Sequence, residues 1–192
     1  TTSNANGSGS QVAIGDQALA NGTDAIAIGG HANSAGVQAL GNESTAIGQS
    51  ARALNTGSVA IGYSVTSSGV GSVAIGGNGT IGSTATGNGA LAIGSGANAT
   101  ADNTVALSTG ASAASVGAIA VGNSANASYN SDIAIGTNAS ANGYGTGVSA
   151  PYAAEAIGYG ATANNSLAMA VGTLATASGL SATAIGNNTK AL

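Results

Sequence analysis

One tetrad governs what this chain can fold into. Ile133-Ala134-Ile135-Gly136 is one of twelve versions, which end at Gly15, Gly29, Gly48, Gly62, Gly76, Gly94, Ser108, Gly122, Gly136, Gly158, Gly172 and Gly186. Eight of the eleven intervals are 14 residues, and the other three are 14 plus 5, 4 and 8. The second position is always Ala and the third always Ile, Leu or Val. A unit this short cannot bury a core alone, so successive units must stack on one another. The spacing predicts a solenoid.

Within each unit the alternation has period two, which argues for strands rather than helices. Two Ala follow most tetrads at fixed offsets, as in Ala51/Ala53, Ala97/Ala99, Ala111/Ala113 and Ala139/Ala141, with a mostly polar residue between them. Each 14-residue unit therefore reads as two short strands joined by two turns. Gly and Asn fall at the turns, where positive φ is tolerated at little cost. Residues 1–192 read as one domain.

Composition narrows the function classes. Only 4% of residues are charged and the net charge is −4, so polar Asn, Ser and Thr must supply solubility. Arg52 and Lys190 are the only basic residues, too few for the positive surface that nucleic-acid binding needs. There is no Cys, hence no disulfide framework or thiolate metal site. No run of 18 apolar residues exists to span a bilayer as a helix, and direct membrane contact is not expected.

The tetrad strand carries more apolar residues than one wall of a thin roll can use. Ile26 and Ile28 point to one side and Ala27 to the other, so one face looks inward and the other must meet something, most simply copies of itself. Ala60, Ile61, Ala74, Ile75, Ala134 and Ile135 are the candidate core and self-association ladder. The expectation is that Ile135 and its equivalents fill the lumen. The unvarying Ala134 and its equivalents would then pack at the chain–chain contact, where space is tightest.

The repeat, in forms such as Ser58-Val59-Ala60-Ile61-Gly62 and Ser72-Val73-Ala74-Ile75-Gly76, resembles the YadA-type head of trimeric autotransporter adhesins, from about Val12 to Gly186. The resemblance implies a left-handed parallel β-roll of about twelve coils assembled as a homotrimer. It also implies display on a Gram-negative outer surface, with a neck, coiled-coil stalk and β-barrel anchor beyond this head segment.

Three insertions are expected to leave the ladder at turns, near residues 37–41, 77–82 and 144–151. The last holds Pro151, the single proline, and is bracketed by Tyr144 and Tyr152; Tyr159 follows one coil later. Aromatics commonly anchor binding surfaces, and these three are the candidate ligand contacts. Gly77 to Gly82 spells G-x-G-x-x-G, but no helical pattern follows it, so nucleotide binding is not supported. His31 is the single histidine, without Cys or clustered carboxylates, and reads as a surface residue. Asp132 and Glu155 start tetrad strands and are expected at a solvated rim of the association face, or else at an ion site on its axis.

No catalytic, cofactor or metal residues are expected, and a hexapeptide-type acyltransferase is disfavoured by the 14-residue period. The function that emerges is an adhesin head holding a binding surface away from the cell, for host matrix proteins or host-cell surfaces. A purely structural spacer and an ice- or mineral-binding solenoid are the alternatives. The second would need an unbroken Thr ladder, whereas the outward row reads Leu19, Asn33, Arg52, Thr66, Asn98, Ser112.

Overall fold

The computed structural model describes residues 3–30, 36–143 and 153–192. The protein is an all-β parallel solenoid of about twelve turns, and no helix occurs among the described residues. It divides into two compact units, Thr1–Ala97 and Asn98–Leu192.

In the first unit, three-residue strands such as Thr45–Ile47, Val59–Ile61 and Val73–Ile75 form one parallel sheet, and two-residue strands such as Gln38–Ala39, Arg52–Ala53 and Thr66–Ser67 form another. The register is that of the repeat: Ala46 pairs with Ala60, Ala60 with Ala74, and Ala74 with Ala92. The second unit repeats the plan, with Ile119–Val121, Ile133–Ile135 and Glu155–Ile157 in one sheet and Ser112–Ala113, Asn126–Ala127 and Ser140–Ala141 in the other. Stacking identical residues lets a sequence of poor strand formers hold sheet, because ladder bonds override local propensity.

The core is built from methyl groups. Four residues of a coil face inward, as Ala18, Ala20, Ala25 and Ala27 do, and all four are fully buried. Where the third of these is not Ala it is mostly Ser or Thr, as at Ser44, Ser58, Ser72 and Thr104. Val37 and Val65 are the largest buried side chains in the first unit. Such narrow walls leave no room for Ile.

The expected assignment of the tetrad's faces is therefore reversed. Ala60, Ala74 and Ala134 lie in the lumen at 0% exposure, while Ile61 and Ile75 are only half-buried and Ile135 is 39% exposed on the outside. Crowding does explain the unvarying Ala, but the crowded place is the interior of the single chain.

The tetrad's closing Gly is fixed by two constraints together. Gly62 has φ +130, and a Cβ there would lie 1.9 Å from the carbonyl oxygen of Gly76 in the next coil. Ser108 occupies the same slot at φ 104, a conformation that strains an L-residue.

The insertions are only partly where the spacing puts them. Residues 77–82 do leave the ladder between Ile75 and Thr84, and Asn78 Oδ1 closes a small turn there by accepting the amides of Thr80 and Ile81 at 3.1 and 3.0 Å. Residues 37–41 do not: Gln38 and Ala39 pair with Leu19 and Ala20 and with Arg52 and Ala53, and Val37 lines the lumen. The five extra residues of that coil thus precede Val37. A Val in an Ala slot disguised the repeat. The 144–151 insertion lies outside the described residues.

Candidate adhesive surfaces and the base of the long insertion

Because the lumen takes only small residues, every larger side chain of the tetrad is turned outward. In the first unit Ile47, Ile61, Ile75 and Ile93 stand in successive register. In the second, Leu107, Val121, Ile135, Ile157, Val171 and Ile185 do the same. A parallel row, from Ile119 and Ile133 through Glu155 and Met169 to Thr183, runs beside it. Glu155 thus stands on the apolar face and interrupts it with one carboxylate. Exposed contiguous apolar surface of this kind marks a contact site, since isolated soluble chains seldom carry it.

The other sheet shows a polar exterior. Its outward row reads Leu19, Gln38, Arg52, Thr66 and Thr84 in the first unit and Asn98, Ser112, Asn126, Ser140, Thr162, Thr176 and Lys190 in the second. Arg52 Nε donates to Gln38 Oε1 at 3.3 Å, a contact between neighbouring rungs. Nothing in this row offers a nucleophile paired with a base.

Of the three candidate tyrosines, Tyr159 is 56% exposed in the turn that follows Gly158. Tyr144 and Tyr152 lie outside the described residues, as does His31. Among the described residues, no three His, Cys, Asp or Glu side chains gather as metal ligands.

Asp132 is neither a solvated rim residue nor an ion site on an axis. It occupies the inward position held by Ala, Ser or Thr in most other coils, and it is fully buried. Its carboxylate is occupied by backbone: Oδ2 accepts from the Tyr129 amide at 2.9 Å and the Gly143 amide at 3.1 Å, and Oδ1 accepts from the Ala154 amide at 2.8 Å. Ser166, also buried, donates its hydroxyl to the Gly143 carbonyl at 3.0 Å. Gly143 and Ala154 flank the long insertion. Sequence reasoning overlooked this cluster, although its signal was present: an acid at a small-residue position, one coil before the longest interval.

The repeat itself matches a known family. The YadA head domain repeat model matches residues 12–32, 39–64, 85–107, 113–139, 130–146 and 166–189, together more than half of the chain. The chain belongs to the YadA head family. This is a family of adhesin heads rather than of enzymes. Among solved structures, the collagen-binding domain of the Yersinia adhesin YadA is similar at 25% identity, with a TM-score of 0.36, over 78% of this chain. The chain spans 62% of the length of that domain. A comparison with curated proteins gives no match.

Proposed function

We propose that this YadA-type head is a bacterial surface adhesin that works as a homotrimer of left-handed rolls and attaches to host matrix proteins or host-cell surfaces. Membership of the YadA head family carries the adhesive part of this reading. The outward aliphatic ladder supports the association part: a second and third copy would cover Ile61, Ile75, Ile135 and their equivalents, which the roll cannot take inside. The passenger would be exposed outside the cell, carried by an outer-membrane anchor. Each contact patch would be presented three times, which strengthens weak contacts through multivalency.

Within the head, the insertion 144–151 together with the exposed Tyr159 is the proposed specific contact, because the regular coils offer a nearly uncharged wall. Deleting residues 144–151 restores a 14-residue interval between Gly136 and Gly158, so the shortened head should still fold. Binding to immobilised matrix proteins and to host cells is then measured for both forms. Loss of binding by a folded deletion variant places adhesion at the loop. Unchanged binding would move adhesion to the repetitive wall, and no binding by either form to any matrix protein or cell would overturn the adhesive reading.

A further inference from the structure

We propose that Asp132 and Ser166 form a clamp that replaces the backbone hydrogen bond broken by the long insertion, and so turn this corner of the roll into an acceptor site for inserted chain.

In regular coils the corner before the tetrad is closed by a turn bond between residues three apart. Ala25 N–H donates to Gly22 C=O at 3.3 Å, Ser58 to Asn55 at 3.0 Å, Ala118 to Ser115 at 3.0 Å, and Ala168 to Asn165 at 3.1 Å. The equivalent pair in the inserted coil is Ala154 N–H and Gly143 C=O, eleven residues apart in sequence, and each takes a side-chain partner instead. The donor goes to Asp132 Oδ1 from the coil before, and the acceptor goes to Ser166 Oγ from the coil after. Both partners are buried, so each bond replaces one that water does not supply. The Gly143 amide, held by Asp132 Oδ2, fixes the outgoing end as well.

The ladder runs undisturbed up to both ends. Asn142 N–H still bonds Ala163 C=O at 2.8 Å, and Ile133 N–H still bonds Ala154 C=O at 2.9 Å. Gly143 and Ala154, the two flanks of the insertion, are thus held at fixed points of the roll. The short insertion at 77–82 is held by exposed groups instead: Asn78 Oδ1 accepts from the Thr80 and Ile81 amides, and Ser95 Oγ of the following coil donates to the Ile81 carbonyl at 3.1 Å. Asp132 and Ser166 are positioning residues, and their role does not depend on what the loop binds.

The test compares Asp132→Ala, Asp132→Asn and Ser166→Ala in two backgrounds, the full chain and the chain lacking residues 144–151. In the shortened chain Gly143 and Ala154 become three residues apart and can form the ordinary turn bond. In the full chain, Asp132→Ala should lower Tm by roughly 5–10 °C and speed amide exchange at Gly143 and Ala154 by about tenfold or more. The Asn and Ser166→Ala variants should do so more mildly. In the shortened chain the same substitutions should move Tm by less than about 2 °C. Failure of Asp132→Ala to fold in the full chain alone is the same result in stronger form. Equal losses in both backgrounds would show that Asp132 merely supports the roll, and no loss in either would show that the clamp does not exist.

Discussion

The two sheets share a backbone plan and an alanine lining, yet their exteriors are opposites. Outside the two-residue strands stand Gln38, Arg52, Thr66, Ser112 and Thr162; outside the three-residue strands stand Ile47, Ile61, Ile75, Val121 and Ile135. Since both interiors are equally small and equally buried, the difference cannot serve the packing of the single chain. It lies in what each sheet meets outside. On the proposed reading, one wall meets water and the other meets further copies of the chain.

Reversing the character of each wall should therefore have unequal effects. Ile61→Asp combined with Ile135→Asp places charge on the apolar wall, where three copies would bury it. Loss of about 1.5–3 kcal/mol per aliphatic side chain, with the added penalty of a desolvated carboxylate, should dissociate the assembly. Sedimentation would show the mass falling to that of one chain, or the chain failing to fold. Thr66→Asp with Thr162→Asp places the same charge on the polar wall and should leave mass and Tm unchanged, within about 0.5 kcal/mol. If both pairs behaved alike, the distinction between the walls would collapse.

The shared lining can be probed at Ala60. Its methyl sits in register between Ala46 and Ala74 with no exposure. Ala60→Leu should cost at least 1–3 kcal/mol, read as a fall in the midpoint of denaturant unfolding. A tolerated Leu would mean that the lumen is wider than the lining implies, and that Ile has some other reason to face outward.

The smallest effect is expected at Ser44. Its hydroxyl is buried and has no hydrogen-bond partner among the described residues, while other coils place Ala25, Ala90 or Ala118 there. Ser44→Ala should raise stability by up to about 1 kcal/mol. A clear loss in thermal unfolding would show that the hydroxyl is used.

The sequence carried the period and the strand pairs, because both follow from spacing alone. Which face of Ile133–Ile135 turns inward does not follow from spacing: alternation separates Ala134 from its neighbours but is blind to the distance between walls. That distance is set by all four inward residues of a coil at once, and they are legible as inward only when Ala25, Ser44, Ser58 and Ala118 are counted with the Ala pairs. Interval lengths likewise reveal an insertion without locating it, and Val37 in an alanine slot hid the register. Asp132 was visible as an anomaly, but its role depends on Gly143 and Ala154 meeting across the insertion, a contact between residues distant in sequence.

The central claim is that the aliphatic wall is covered by further copies of this chain. The most direct measurement is light scattering of the purified chain across micromolar concentrations, alongside circular dichroism. The account predicts a folded species at three times the 17.5 kDa chain mass, with no folded monomer on dilution. A stable, folded single chain at micromolar concentration, its aliphatic ladder open to water, would contradict it.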